Sequence, residues 1–270
     1  IISQIKREKF DTAYDFSLDY RYGGILKLVG VNRRIGFDYK GRGRFLTHKI
    51  PLVGYNNKHI VEHYLSLLDF DGIPVNDKAI DIFIPQEIEH QAQRLLGSYG
   101  LNPQELLIGI CPGAGASWGK DAYIKQWGHD KFGALAQRLI DELKAKVVIL
   151  GDESEKELAV LIERRLQGKA VNLCGLTGLL MFAALLKQLK LLIANDGGPL
   201  HMAVAVGTST LSIFGPVDDL VYGPYPVSSR HVVIKSNLPC RPCYQDFRLK
   251  DCHNNRACLN DISVDQVFSV

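Results

Sequence analysis

Apolar and polar positions follow a regular pattern along the second half of the chain. Short apolar runs predict buried strands, and apolar residues repeated every three to four positions predict the helices between them. The predicted strands are 106–111, 146–150, 170–174, 191–194 and 210–214, and the predicted helices are 130–144, 154–166, 179–189 and 200–206. Strands that alternate with helices through short connections favour a parallel sheet with helices on both faces.

The first hundred residues give a weaker pattern. They predict helices at 1–9, 23–29, 60–68 and 87–99 and a strand at 12–18. These are too few strands for a complete doubly wound sheet, so we expect an incomplete Rossmann-like unit here. Asn102-Pro103 interrupts the regular pattern, which predicts two domains, 1–102 and 103–270.

The composition allows a large core and argues against several classes of protein. The chain has 270 residues, of which 46% are apolar, enough for two domains. A net charge of +3 does not indicate a nucleic-acid partner. No apolar run reaches the ~20 residues needed to cross a bilayer, and the charged N-terminus is unlike a signal peptide. We therefore expect a cytoplasmic protein without a transmembrane segment.

A basic, glycine-spaced stretch lies in the first half, with Arg33-Arg34 followed by Lys40-Gly41-Arg42-Gly43-Arg44. One interpretation is a solvated, mobile loop. The other is a surface for an anionic acceptor, such as a phosphorylated glycolipid at the inner membrane, which would make the protein peripheral there.

The six cysteines fall into two groups. Cys111 and Cys174 lie in apolar runs, which is typical of buried reduced thiols. The other four, Cys240, Cys243, Cys252 and Cys258, occupy one C-terminal segment. Four such thiols could enclose a structural zinc ion, whereas the loose spacing of the second pair leaves free thiols or a labile disulfide as alternatives.

The most informative segment is the run 193–201, where an apolar strand ends in Asn195-Asp196-Gly197-Gly198-Pro199. Pro199 suits the first turn of a helix, and the two glycines leave backbone N–H groups unshielded. Such a helix start can bind a phosphate, and Asp196 at the strand end can accept hydrogen bonds from ligand hydroxyls. The alternative is an ordinary strand-to-helix turn in which Asp196 only caps the helix.

The chain resembles glycosyltransferase family 9, the bacterial heptosyltransferases that build the inner core of lipopolysaccharide. Three stretches carry the resemblance: 110–114 leading to Lys125-Gln126-Trp127, 195–201, and 214–218. The resemblance implies an α/β fold of the GT-B type, with two Rossmann-like domains facing a cleft. The nucleotide sugar would be held by the second domain and the acceptor by the first, incomplete domain.

The resemblance also implies that Ser117 and Lys125 approach the diphosphate of the nucleotide sugar. A flexible cation such as Lys125 is suited to neutralising a leaving diphosphate. The alternative for Lys125 is a surface side chain that lies along apolar neighbours. Trp127 is interpreted as a core or lid aromatic.

Further roles follow from the resemblance for residues of the second domain. Asp196 would hold hydroxyls of the sugar or ribose, Gly197, Gly198 and His201 would line the diphosphate, and Glu155 would contact the nucleoside. The family has Thr where this chain has Gly197, so one hydroxyl contact is missing. His201 could instead pack or hydrogen-bond internally.

Family members begin with a strand and a glycine-containing loop whose acidic residue deprotonates the acceptor, and this sequence has no match to it. Direct displacement at a sugar needs a general base beside the acceptor oxygen. We expect that base upstream of Ile1. Asp15 and Asp19, near the end of the strand at 12–18, are weak substitutes that could instead cap or line the acceptor cleft.

These observations predict an inverting, metal-independent glycosyltransferase that moves a sugar, a heptose by resemblance, from a donor such as ADP-heptose. The acceptor would be a glycolipid of the lipopolysaccharide core. A nucleotide-sugar epimerase of the same architecture and a non-catalytic nucleotide-sugar-binding or zinc-dependent module remain as alternatives.

Overall fold

The computed structural model describes residues 2–270, except for the side chains of Ala116 and Ser117. The described chain divides into two compact units. Unit 1 comprises residues up to Lys78 together with Gln245–Arg248, and unit 2 comprises Ala79–Tyr244 and Leu249–Val270.

Unit 1 contains, among its described residues, a three-stranded parallel sheet in the order β1-β2-β3. Its strands and helices are β1 (Thr12–Asp15), β2 (Arg33–Tyr39), β3 (His48–Leu52), α1 (Ile2–Glu8), α2 (Tyr20–Leu28) and α3 (Ile60–Leu65). Ile35 and Phe37 of β2 pack with Leu67 in a small core. Phe247 also belongs to this unit, and its ring lies 5.0 Å from that of Tyr55.

Unit 2 is built on a six-stranded parallel sheet in the part of the chain described. Its strands are β4 (Leu107–Cys111), β5 (Lys146–Ile149), β6 (Ala170–Asn172), β7 (Leu191–Asn195), β8 (Ser209–Phe214) and β9 (His231–Lys235), in the spatial order β6-β5-β4-β7-β8-β9. Two short strands, β10 (Tyr244–Gln245) and β11 (Arg248–Leu249), pair with each other outside this sheet, and Gln245–Arg248 between their ends is counted with unit 1. The order is that of a doubly wound Rossmann-like sheet, in which successive strands are added first on one side of β4 and then, from β7 onward, on its other side.

Helices cover both faces of this sheet. They are α4 (Gln86–Ser98), α5 (His129–Leu143), α6 (Lys156–Leu166), α7 (Leu179–Gln188), α8 (Gly198–Ala205), α9 (Asp219–Tyr222), α10 (Ala257–Asn260) and α11 (Val264–Phe268). Ile108 and Ile110 of β4 face a core built with α5, α6 and α11. Leu107 and Cys111 face a second core built with α4 and α7. This alternation is the two-residue period of a strand that is buried on both faces.

The elements predicted in the second half are present, with bounds shifted by a few residues. Five strands, β2, β3, β9, β10 and β11, were not predicted. The basic stretch is not a loop throughout, because Arg33 and Arg34 begin β2 and Arg42–Phe45 forms a 3-10 turn. The spacing of Ile35, Phe37 and Tyr39, all buried, carries the strand signal, which the charges and glycines obscured.

The predicted boundary at 102–103 lies inside unit 2, which begins at Ala79. Ala92 and Leu96 of α4 are fully buried in a core of that unit, so α4 is part of its packing. Where independently folding domains begin and end remains a prediction. No helix in the described residues is long and apolar enough to cross a bilayer.

Candidate functional site

The site lies at the point in the sheet of unit 2 where the strand order reverses, between β4 and β7. The loop after β4 begins at Pro112, and the loop after β7 begins at Asp196. Because β4 and β7 are adjacent parallel strands, their carboxyl ends bring these two loops together. In open α/β sheets, this switch point is the place where ligands bind.

Asn195, the last residue of β7, joins the loops around the switch point. The side-chain NH2 group of Asn195 donates to the carbonyl oxygens of Pro112 and Gly113, each at 2.8 Å. Its side-chain oxygen Oδ1 accepts from the backbone N–H of Trp127 at 2.9 Å. The side chain is 1% exposed. Buried polar groups are stable only when they are hydrogen-bonded, so Asn195 fixes the positions of the segments on either side.

Helix α8 begins directly behind Asp196 with Gly198, and Pro199 lies in its first turn. A Cβ atom at Gly197 would lie 3.1 Å from the Ala114 carbonyl oxygen, so the two loops approach closely there. In the described part of the chain, no backbone carbonyl accepts from the N–H of Gly197 or Gly198. These two N–H groups, at the positive end of α8, are available to an anion.

Lys125 and Asp196 form a buried ion pair at the same edge of the sheet. Lys125 Nζ lies 2.7 Å from Asp196 Oδ2, and the residues are 6% and 5% exposed. The approach is an ion pair rather than an aligned hydrogen bond. Lys125 Nζ also lies 5.0 Å from the ring centroid of Trp118. Lys125 is therefore not the exposed side chain of the alternative interpretation.

A cavity of about 370 Å³ opens beside the start of α8. Its lining is mainly apolar, from Leu179, Phe182, Pro199 and Met202, and Gly198 also contributes. The remaining lining residues are Ala114, Gly115, Gly151, Asp152, Glu155 and Thr177. An apolar wall with a few polar groups is the usual form of a small-molecule site.

Glu155 links two loops at this cavity. Its carboxylate accepts from the Gly115 N–H at 2.9 Å and from the Asp152 N–H at 3.1 Å. A Cβ atom at Gly113 would meet the Glu155 carboxylate at 1.7 Å, so only glycine fits there. Burial raises the pKa of Glu155, and the hydrogen bonds from Gly115 and Asp152 oppose that rise.

The structure brings only part of the expected site together. Lys125 pairs with Asp196, and Glu155 and Gly198 share the cavity. His201 lies in α8 and is partly buried. The side chain of Ser117 lies outside the described residues. Trp127 is a core residue, because it is 2% exposed and its indole N–H donates to the Ile262 carbonyl at 2.9 Å.

The two weak candidates for a general base lie in unit 1. Asp15 accepts from the hydroxyl and the N–H of Ser17, at 2.6 and 2.9 Å. Asp19 caps α2 by accepting from the Arg21 N–H at 3.0 Å. The Arg21 guanidinium also binds Asp19 and lowers its pKa. Asp19 therefore has the capping function that the sequence offered as an alternative.

The four C-terminal cysteines lie near one another, and Cys243, Cys252 and Cys258 line one pocket. No group of three or more His, Cys, Asp or Glu side chains in the described residues could, as placed, hold a metal ion, and all six cysteines are unpaired thiols. Cys240 and Cys252 are exposed, and Cys258 is buried. Zinc, free thiols and a labile disulfide remain alternatives for this segment.

Two features of the site were not assigned from the sequence. Asn195 was part of the predicted run but had no role, although a polar residue that ends a fully apolar strand is a signal for one. The hydroxyl oxygen of Thr177 is buried and has no hydrogen-bond partner in the described structure, and Thr177 lines the cavity. No sequence signal pointed to Thr177.

A parallel sheet of this order, with an apolar cavity and free N–H groups at its switch point, defines a Rossmann-like ligand-binding α/β protein. The sequence also matches a known family. The model of glycosyltransferase family 9 (heptosyltransferase) matches residues 1–253. The chain therefore belongs to glycosyltransferase family 9, and its fold is of the GT-B type.

Among characterised relatives, lipopolysaccharide heptosyltransferase 2 of Escherichia coli K12 is 26% identical over 220 residues, which cover 78% of this chain and 62% of the relative. The chain thus spans less than two thirds of the length of that relative. Among solved structures, a family 9 glycosyltransferase of Veillonella parvula has a TM-score of 0.81 at 22% identity, covering 100% of this chain and 75% of its own. E. coli ADP-heptose lps heptosyltransferase II has a TM-score of 0.78 at 22% identity, covering 99% and 77%.

Proposed function

We propose that this protein transfers a heptose from a nucleotide-diphosphate donor to a lipopolysaccharide-core type acceptor. The E. coli protein of similar fold is named for ADP-heptose, and we propose ADP-heptose as the donor here. The observation that carries the proposal is the cavity at the start of α8, which Gly198 lines and where no backbone carbonyl of the described chain accepts from the N–H groups of Gly197 and Gly198. The Lys125–Asp196 pair lies at the same edge of the sheet, outside the lining of the cavity. We assign donor binding to unit 2 and acceptor binding to unit 1.

The donor diphosphate would bind at the start of α8. The N–H groups of Gly197 and Gly198 are not used by backbone carbonyls of the described chain, and helix N-termini favour anions. The absence of a side chain at Gly198, where a Cβ would meet nothing within 4 Å, leaves space for close approach of a phosphate. His201 and Ser117 complete the set of residues that we propose around the diphosphate.

The nucleoside would occupy the apolar part of the cavity. Leu179, Phe182 and Met202 offer an apolar surface to a flat base. Glu155 and Asp152 line the same cavity, and their carboxylates are hydrogen-bond acceptors of the kind that bind ribose hydroxyls. The Thr177 hydroxyl, which has no partner in the described chain, could donate to or accept from the base. A volume of about 370 Å³ is in the range of small-molecule pockets.

Lys125 and Asp196 would act at the bond that breaks. A cation held beside the diphosphate stabilises the negative charge that develops on the leaving nucleotide. Asp196 would accept hydrogen bonds from the sugar hydroxyls while its charge keeps Lys125 in place. Positive charge from Lys125 and the helix start would allow transfer without a metal ion.

Transfer with inversion is a single displacement, in which the acceptor oxygen attacks the anomeric carbon and the nucleoside diphosphate leaves. The attacking hydroxyl loses its proton to a general base. Between the two candidates in this chain, Asp15 is the better one, because Asp19 is held by Arg21. We propose that the reaction takes place at the cytoplasmic face of the inner membrane.

The test is a comparison of donor binding and transfer in the wild type and Asp196→Asn. Binding of ADP-heptose is measured by calorimetry, and transfer is followed as ADP released when a core glycolipid is added. We expect Asp196→Asn to lose transfer by at least 100-fold, the order of magnitude for a removed electrostatic stabiliser. Glu157→Gln is the matched control, since Glu157 is an exposed acid of the same unit.

A folded Asp196→Asn protein with full activity would show that the site is assigned wrongly. Tight donor binding without transfer to any core acceptor would instead favour a non-catalytic binding module. Incubation of the donor alone tests the epimerase alternative, which predicts an isomer of the sugar. The family comparison gives neither alternative support.

A further inference from the structure

Positive charge is concentrated in one segment of unit 1. The thirty residues from Tyr20 to Lys49 contain eight Lys or Arg and one Asp, a net charge of +7, whereas the whole chain carries +3. The rest of the chain is therefore net negative. A segment of this charge attracts anionic partners even where the whole protein is nearly neutral.

Two elements of this segment are packed against each other. They are helix α2 and the 3-10 turn Arg42–Phe45. Cβ atoms at Gly23 and Gly24 of α2 would lie 3.4 and 3.3 Å from the Phe45 side chain. The two glycines let Phe45 lie directly on the helix, and this packing holds the basic side chains of the turn beside those of α2.

We define the basic–aromatic face as Tyr20, Lys27, Lys40, Arg42 and Arg44, all of which are exposed. The Arg44 guanidinium lies 4.1 Å from the centroid of the Tyr20 ring. Lys40 and Arg42 lie 4.8 and 5.4 Å from the Tyr39 ring, and Lys27 lies 5.8 Å from the Phe45 ring. Stacking on a ring orients a cation without neutralising its charge.

Carboxylates do not neutralise this face. Asp19 is bound by Arg21, and Asp38 is bound by Lys49 at 3.0 Å. In the part of the chain that the structure describes, none of the four cations of the face has a carboxylate within ion-pair distance. Since four exposed cations are left unpaired, the face carries a net positive charge.

The backbone of the 3-10 turn does not offer a discrete anion site. The Gly43 N–H donates to Asp38 Oδ1 at 2.9 Å and is therefore already used by a carboxylate of this protein. Contact with an anion must therefore be made by the long basic side chains. Flexible cations spread over an exposed surface, beside an exposed tyrosine, suit an extended array of phosphates better than a single bound phosphate.

We propose that the basic–aromatic face docks unit 1 on an anionic lipid bilayer. The cations contact lipid phosphates, and Tyr20 lies at the level of the headgroups, where tyrosine is favoured. This inference does not depend on which sugar is transferred. It adds to the proposed function a surface that would hold the enzyme where a glycolipid acceptor lies.

The test is co-sedimentation of the full chain with vesicles of phosphatidylglycerol and phosphatidylcholine, against vesicles of phosphatidylcholine alone. We expect the wild type to bind the anionic vesicles only, and less well as salt rises. Each basic residue near an anionic surface contributes about fivefold in affinity, so Arg42→Gln/Arg44→Gln is expected to bind at least tenfold more weakly. Arg164→Gln/Lys190→Gln removes the same charge from exposed positions of unit 2 and should bind like the wild type.

Equal loss of binding in both double variants would overturn the proposal, since it would show attraction by net charge alone. So would wild-type levels of binding in Arg42→Gln/Arg44→Gln. A third arm adds inorganic phosphate at matched ionic strength. Displacement by phosphate but not by chloride would identify a discrete phosphate site and overturn docking on a bilayer.

Donor binding is measured on the same variants, because it depends on unit 2. A variant that binds donor normally but has lost vesicle binding supports the docking face, whatever the outcome for transfer. Asp196→Asn is expected to bind vesicles like the wild type, so a change in its donor binding bears on the proposed function and not on the docking face. The two proposals can therefore fail separately.

Discussion

Lys125 Nζ lies 2.7 Å from Asp196 Oδ2, and both residues are almost completely buried. A buried ion pair is costly to break, because the remaining charge has no partner. Asp196→Ala is therefore expected to lower the free energy of unfolding by about 3 kcal/mol or more. Urea unfolding of the wild type and the variant measures this difference.

The double variant Lys125→Met/Asp196→Ala separates stability from function. It removes both charges, so we expect it to regain most of the lost stability, as replacement of buried pairs by apolar residues commonly does. We expect both variants to bind the donor more weakly than the wild type, because each lacks the Asp196 carboxylate that would accept hydrogen bonds from the sugar hydroxyls. A double variant as unstable as Asp196→Ala would mean that the pair is not the cause of the loss.

Asn195 gives a prediction about the framework of the site. Its side chain makes three hydrogen bonds, to Pro112, Gly113 and Trp127, in a fully buried position. Asn195→Ala leaves those backbone groups without partners, at a cost of about 1–3 kcal/mol for each unsatisfied group. We expect a drop of about 3 kcal/mol in the free energy of unfolding, together with weaker donor binding.

The control for Asn195 is Asn260→Ala. Asn260 donates to the Asn255 carbonyl at 2.7 Å but is exposed, so water can replace its bond. Its loss should change stability by less than about 0.5 kcal/mol. Equal effects of the two substitutions would show that Asn195 does not join the loops in the way described.

Much of unit 2 could be predicted from the sequence, because β4, β5, β7 and β8 are largely buried and mainly apolar. Such strands, with amphipathic helices between them, specify the doubly wound sheet almost without reference to tertiary contacts. The run 193–201 was predictable for the same reason. A strand that ends in Asp196-Gly197-Gly198-Pro199 specifies its own turn and helix start.

Unit 1 was less predictable, because β2 is half-buried and rich in charge. Arg33, Arg34 and Asp38 mask the alternation of Ile35 and Phe37. The segment was interpreted from its charged, glycine-rich composition, and the two-residue spacing of its apolar side chains was not recognised as a strand. The cavity could not be predicted from the sequence either, because Thr177, Phe182 and Met202 come together only when α7 and α8 pack at the same edge of the sheet. The pairing of Lys125 with Asp196 depends on the same tertiary arrangement.

Glu155 predicts a pH dependence of stability. Its pKa is raised above the ordinary value of 4.5, chiefly by burial, so the folded state holds the proton to a higher pH than the unfolded state. Between those two pKa values the folded state binds more protons, and stability therefore falls as pH rises. Above the raised pKa this contribution is constant.

Glu155→Gln removes this titration while keeping a side chain of the same shape. We expect the free energy of unfolding of the wild type, relative to that of Glu155→Gln, to fall as pH rises from 4.5 and then to level off. Urea unfolding of both proteins at a series of pH values gives the difference directly. A difference that does not change with pH, or that rises, would contradict burial as the dominant cause.

The C-terminal thiols give a last prediction, which also tests the metal question. Thiolates, not thiols, react with disulfide reagents, so reactivity follows exposure and pKa. Burial raises the pKa of Cys174 and Cys258 each to about 11, whereas Cys240 and Cys252 are exposed. In a reduced sample with a disulfide reagent at pH near 8, we expect Cys240 and Cys252 to react first, and Cys174 and Cys258 only on unfolding. Mass spectrometry of the labelled peptides assigns the order in which the thiols react.

The metal content and the effect of a chelator are measured on the same preparation. The described side chains include no cluster of three or more that could hold a metal, so we expect chelation to leave both the labelling order and the unfolding temperature unchanged. Stoichiometric metal, with all four C-terminal thiols protected until the metal is removed, would contradict this prediction.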